Sequence, residues 1–113
     1  MVSSISYSRT AVQDLRQIGD YIAVDLSNPA AALNTVTKIQ NTIDKLTVFP
    51  YIGTPVSALA EIETDYRLLV CGKYLAFYHV RSDNVVIDRI LHGKRDYITI
   101  LFGNLTEEEI DEE

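Results

Sequence analysis

Two apolar stripes at helical spacing, followed by three short apolar runs, restrict this chain to a pair of helices laid on a sheet. The first stripe, Ala11, Leu15, Ile18 and Ile22, recurs at the interval of one helix face. The second, Ala32, Val36, Ile39, Ile43 and Leu46, alternates steps of four and three. Ser27-Asn28-Pro29 separates them as a break, an N-cap Asn and a Pro in the first helical turn, where its missing N–H costs nothing. So short a link predicts an antiparallel helix hairpin with one apolar face on each helix. The first helix is expected over residues 9 to 25. Its start stays open between Ser8 and Thr10, the latter with Gln13 three positions on as in a capping box.

Weak alternation in residues 2 to 7 suits a first strand, and FPYIGTP opens a stretch, 50 to 63, that reads mostly as loop. From Tyr66 the runs YRLLV, YLAFYHV and VVIDRIL, separated by CGK and RSDN, predict a three-stranded antiparallel meander. The middle run is almost continuously apolar and reads as central, whereas Asp88 and Arg89 interrupt the third and predict a partly exposed face. The fold class is therefore α+β: an N-terminal strand, the helix hairpin, the meander completing one sheet, and a short C-terminal segment. One domain spans residues 1–105. Residues 106–113 form an acidic tail, in which Thr106 and Glu109 match a capping box for a marginal helix.

At 113 residues such a domain buries a core without covalent staples. Cys71 is the single cysteine, and His79 and His92 have no ligand spacing around them, so neither disulfide, metal nor cofactor is expected and a reducing cytoplasmic setting is. The N-terminal MVSSISYSRT has neither a basic region nor an apolar core, and no run approaches the ~20 residues of a membrane span. An unprocessed, soluble chain without a membrane partner is the expectation.

The formal net charge of −6 lies wholly in the tail: residues 107–113 carry six acids, while residues 1–106 carry ten acids and ten bases. Residues 66–97 hold six bases against three acids. Within this positive half, His92 follows the last apolar run beside Lys94 and Arg95. That grouping suits acid–base work on a ribose hydroxyl with the cations on a phosphate, or equally an exposed loop histidine. Arg67 opens the first meander strand and Arg89 lies in the last. Sharing a face they would clamp a phosphate or carboxylate; otherwise they pair with surface acids such as Asp65 or Asp88. Tyr66, Tyr74, Tyr78 and Tyr97 interleave with the bases as on a single-stranded nucleic-acid surface, although Tyr74 and Tyr78 suit a sheet core as well. His79 and Cys71 read as packed residues. No phosphate-cradling glycine loop, GxSxG or HExxH is present.

Several pieces occur here in a characteristic order: Tyr7-Ser8 before Ala11 and Asp14-Leu15, Asn28-Pro29 with Ala31-Ala32, Leu46 with Phe49-Pro50 and Gly53, and Tyr66-Arg67-Leu68. Gly72-Lys73-Tyr74-Leu75 with Phe77-Tyr78 follows, then Arg89-Ile90-Leu91-His92-Gly93 with Arg95-Asp96. Over nearly all of residues 3 to 102 the chain resembles the RelE/ParE superfamily of type II toxin–antitoxin toxins. The resemblance implies a bacterial, growth-inhibiting, plasmid-stabilisation-type toxin neutralised by a cognate antitoxin. RelE-type members cleave messenger RNA on the ribosome without a metal. Carried over to this chain, that activity would use Arg67, His92, Arg95 and Tyr97. The match departs where those nucleases place an arginine, here Leu75, and a late tyrosine, here near Leu101 or Phe102. GKYLAFYHV and RILHGKRD look closer to the ParE branch, whose members are associated with poisoning DNA gyrase by binding and with no chemistry of their own. The resemblance then makes Arg67, Lys73, Arg89, His92, Lys94 and Arg95 the surface for target and antitoxin. A third reading is a non-toxic interaction module of the same fold. The acidic tail is either a solvated terminus or a strap over the basic face.

Overall fold

The computed structural model describes residues 2 and 4–103. The expected tail helix and strap fall on 106–113, outside the described residues.

Strand β1 (Ser4–Tyr7) runs straight into helix α1 (Arg9–Asp20). Ser8 is the N-cap: its hydroxyl accepts the Ala11 N–H at 3.0 Å and donates to the Asp88 carbonyl at 2.9 Å. A capping residue that also holds a distant strand decides between the two candidate starts. The helix continues as a single π-turn, Tyr21–Asp25, and Ser27 at φ 52° reverses the chain. Asn28 then caps helix α2 (Pro29–Asp44), accepting the Ala31 N–H at 3.1 Å, and a 3₁₀ turn, Lys45–Thr47, ends it. Both helix stripes are used as expected, with Ala11, Leu15, Ile39, Ile43 and Leu46 buried.

The sheet holds strands β2 (Thr54–Pro55), β3 (Arg67–Cys71), β4 (Tyr74–Arg81) and β5 (Asn84–His92) in the order β1-β5-β4-β3-β2. Strand β1 lies parallel to β5, while the other pairs are antiparallel. The meander is present with β4 at its centre. Two features differ from the sequence reading. Within the stretch read as loop, the two residues of β2 add a fifth strand and Ser57–Ala60 form a short helix, α3. Neither is long enough to show a period, and Pro55, which lacks an N–H, suits an outer strand. Beyond the meander, residues 97–103 form a helix, α4.

Both faces of β4 are covered, which explains its unbroken apolar run. Ala76 and Tyr78 pack under the helix hairpin with Leu69, Val85, Ile87 and Ile90. Phe77 faces the other way, against Val56, Leu68 and Leu91, with Tyr97, Ile98, Leu101 and Phe102 of α4 closing that side. Ala76, Phe77 and Tyr78 are each 0% exposed. A bulge interrupts the register: Tyr78 opposes Ile87 but Phe77 opposes Arg89, leaving Asp88 as the extra residue. The bulge lets Ile87 and Ile90, three apart, face the same helices. The partly exposed face expected at Asp88 and Arg89 is therefore a bulge carrying two partnered charges. Among the described residues no helix is long and apolar enough to cross a membrane.

Gly53 has no room for a side chain, since a Cβ there would lie 2.6 Å from the Tyr78 hydroxyl and 2.7 Å from the Leu68 carbonyl oxygen. Gly53→Ala is expected to destabilise the fold by about 1–3 kcal/mol, read as a lower denaturation midpoint.

Candidate functional site: a basic groove at one end of the sheet

The cross-strand register Cys71–Tyr74–His92 brings the β3–β4 turn alongside the end of β5. Gly72, at φ 65°, makes that turn possible, and the Gly93 N–H donates to the Lys73 carbonyl at 2.8 Å. The chain then folds tightly around His92. Its carbonyl accepts the Arg95 N–H at 2.9 Å, and its Nδ1 accepts the Lys94 N–H at 3.1 Å. With Nδ1 as acceptor, the neutral ring carries its proton on Nε2. Tyr74 meets the imidazole edge-on at 5.3 Å. Asp96 is held within its own turn: Thr99 donates to its carboxylate through both N–H and hydroxyl, at 3.3 and 2.7 Å, and holds its pKa below the usual range. Among the described residues the ion pairs are His79–Asp88 and Arg89–Asp14, so Lys73, Lys94 and Arg95, all exposed, enter none.

Between this end of the sheet and the helix hairpin lies a groove of about 740 Å³. Ile22, Leu26, Ile39 and Tyr74 give it apolar walls, Lys38, Lys45 and Lys73 bring ammonium groups to it, and no Asp or Glu among the described residues lines it. A second hollow of about 500 Å³ shares Tyr21, Tyr74 and His92 with it and reaches Gln17 and Arg95. The helix contributions were missed in the sequence, although Lys38 and Lys45, seven apart, fall on one helix side. A groove with apolar walls and unpaired cations suits an amphipathic acidic segment. Among the described residues no cluster of three or more His, Cys, Asp or Glu is placed to hold a metal.

The remaining candidates lie elsewhere. Arg67 is at the far end of β3, about 13 Å along the strand from Cys71. Its Nη1 donates to the carbonyls of Tyr51 and Gly53 at 3.1 and 2.8 Å, with the guanidinium 5.0 Å from the centre of the Tyr51 ring. Arg89 is separated from Arg67 by β4, so the two form no clamp. Nor does Arg89 pair with Asp88 or Asp65. Asp14 of α1 takes its Nε and Nη2 at 2.8 and 3.1 Å, and these bonds raise the arginine pKa further. The same carboxylate accepts the Ile90 N–H at 2.9 Å. Tyr97 packs its ring, tilted by 36°, against Phe77 at 5.1 Å on the opposite face of the sheet, where Leu75, Leu101 and Phe102 also pack. Of Arg67, His92, Arg95 and Tyr97, only His92 and Arg95 are thus brought together.

The two residues read as packed are packed. His79, 8% exposed, bonds the Asp88 carboxylate at 2.7 Å and stacks on Tyr66. Burial raises the Asp88 pKa, opposed by that bond. Cys71 closes β3 with its thiol buried and pushed up to about 11 by that burial.

A family model described as the ParE toxin of the type II toxin–antitoxin system, parDE, matches residues 5–97. Among solved structures, the "Chromosomal ParDE TA system from P. aeruginosa" is similar at 27% identity and a TM-score of 0.66, covering 79% of this chain and 94% of that chain. The search of curated proteins gave no match.

Asp14→Ala is expected to cost about 2–4 kcal/mol in denaturant unfolding, because it strands a guanidinium and a backbone N–H together. Adding Arg89→Met should recover part of that loss. Cys71 in the folded protein should react with iodoacetamide at pH 8 on the order of a hundredfold more slowly than after unfolding.

Proposed function

The chain belongs to the ParE toxin family of type II toxin–antitoxin systems, and from that premise we propose that it acts by binding, with DNA gyrase as its target and a cognate antitoxin as its inhibitor. What supports binding over cleavage is the dispersal of the groups a metal-free ribonuclease would need. Arg67 is held by loop carbonyls, Tyr97 by a tilted ring contact with Phe77 and Leu75 by the apolar layer beneath α4. Neither Arg67 nor Tyr97 reaches the His92–Arg95 corner, so the four residues do not form one acid–base and phosphate-stabilising set.

What the basic end does offer is a recognition surface. Lys73, Lys94 and Arg95 are exposed and enter no ion pair among the described residues, and the groove beside them presents Ile22, Ile39 and Tyr74. The solved relative is a ParDE system, which supports an antitoxin partner for this chain as well. An antitoxin segment with acidic and apolar faces fits this groove, and covering Lys73 and Arg95 would withhold them from the target. Inhibition then requires only that the two partners share one surface. The proposed setting is the bacterial cytoplasm, where gyrase resides.

Induced expression in a bacterial host with pulse labelling tests this reading. DNA synthesis should stop before protein synthesis, and Lys73→Ala/Arg95→Ala should weaken both toxicity and antitoxin binding, the latter with a reduced salt dependence. A prompt arrest of translation with cleaved messages would instead establish a ribosome-dependent ribonuclease. Unimpaired growth would leave an interaction module.

A further inference from the structure

His92 stands where the two hollows of the basic end meet, since it lines both of them together with Tyr21 and Tyr74. Its ring has little freedom there. Tyr74, its direct cross-strand neighbour, crosses it at 78° with the ring centres 5.3 Å apart, and the Lys94 N–H is bonded to Nδ1 at 3.1 Å. A neutral imidazole has one lone pair and one N–H. The backbone of the adjoining turn takes the lone pair, which leaves the N–H on Nε2.

That donor has no partner in the fold. Nε2 enters no hydrogen bond among the described residues, and no side-chain nitrogen or oxygen among them is both buried and unsatisfied, so Nε2 reaches solvent. Its surroundings are cationic. Lys73 comes from the β3–β4 turn, Lys94 and Arg95 from the turn after β5, and Lys38 and Lys45 from across the larger groove. Asp14, the carboxylate at the smaller hollow, is already engaged by Arg89 and the Ile90 N–H.

The bond to Lys94 decides what this histidine can do. A general base needs a free lone pair on the imidazole, and here the single pair is held by the chain's own backbone. A fixed, unpartnered N–H among uncompensated cations is instead a donor for an anionic oxygen. We propose that His92 is a recognition residue, giving its Nε2–H to a carboxylate of an acidic partner segment that crosses the ridge of Tyr21, Tyr74 and His92 from one hollow to the other. The apolar walls at Ile22, Leu26 and Ile39 select a peptide carrying that carboxylate over a phosphate chain, which has no apolar side to bury against them. Identifying the segment with the antitoxin rests on the proposed function above.

Two near-isosteres separate the two edges of the ring. Asn places an acceptor where Nδ1 stands and has nothing at Nε2, whereas Gln places an amide N–H at the Nε2 position and leaves Nδ1 empty. Both keep the backbone bonds from Gly93 to Lys73 and from Arg95 to residue 92 that close the turn. Full-length wild type, His92→Asn and His92→Gln, each shown to be folded by thermal unfolding, are compared in binding a fluorescein-labelled glutamate–tyrosine copolymer at low salt. Gln is expected to bind within about threefold of wild type and Asn about tenfold or more weakly, the loss for one hydrogen bond to a charged group. Long-range ¹H–¹⁵N NMR of wild type at mildly alkaline pH, where imidazole is neutral, should show the proton on Nε2. A proton on Nδ1 would overturn the proposal without any variant. The reverse order, with Asn binding as wild type and Gln weakened, would make His92 only a clamp on its turn. Equal binding by all three, or equal loss in both variants, would likewise remove the Nε2–H contact while the acidic-segment reading of the groove stands. A wild type that does not bind the copolymer sinks that reading, and the His92 contact with it. Inorganic triphosphate that binds wild type more tightly than the copolymer, with the same split between Asn and Gln, would reassign the donor to phosphate and overturn the carboxylate.

Discussion

The arrangement of this molecule depends on a single buried carboxylate. Strand β1 covers β5 only as far as Ile87, and beyond that point the outer edge of β5 has no strand beside it among the described residues. Helix α1 takes the place of the missing strand. Asp14, 7% exposed, accepts the Ile90 N–H as a strand carbonyl would and neutralises itself with Arg89, while Ser8 bonds the Asp88 carbonyl a short way back. Burying an acid is costly without a counter-charge, and here the counter-charge and the edge N–H come from adjacent residues of the strand being closed. That attachment sets how α1 lies against the sheet, and the hairpin follows with it. The groove beside Tyr74 and His92 exists because α1 is pinned to β5 while the register of β3, β4 and β5 ends together below it.

Much of this was legible in the residues and some of it was not, for identifiable reasons. Helix stripes such as Ala32 to Leu46 and the doubly buried run at Tyr74 carry strong period signals, so the hairpin and the central strand could be read directly. The bulge at Asp88 could not, because alternation in VVIDRIL slips by one residue only when its partner strand is known. The fates of Arg67 and Arg89 were hidden likewise: nothing local tells that one guanidinium bonds a loop fourteen residues earlier and the other an aspartate seventy-five residues earlier. Helix α4 lay concealed in ITILF, whose β-branched residues carry no helical preference. The resemblance located His92 and Arg95 at the end of the last strand, where they stand. It did not reveal that Lys38 of α2 and Lys45 of the following 3₁₀ turn face the same space.

The charge distribution follows from these placements. At the basic end Asp14 is paired with Arg89, while Lys73, Lys94 and Arg95 enter no ion pair among the described residues, in a body whose totals are balanced. A chain of net charge −6 can therefore present a locally positive face. That face differs in kind from the apolar loop beside Arg67, so the two ends of β3 present different chemistry to whatever approaches.

The parallel pairing of β1 with β5 also governs when the molecule becomes complete. Ser4 finds its partner Asn84 eighty residues later, and the aspartate that closes the sheet edge waits for Arg89 and Ile90. A ribosome adding about 5–20 residues per second makes the helix hairpin seconds before the strand it must be pinned to. A polypeptide truncated before residue 84 lacks His92, Lys94 and Arg95 along with the sheet edge. Interrupted synthesis of this protein therefore yields fragments without that positive corner, which comes into being only when translation has passed nearly all of the fold.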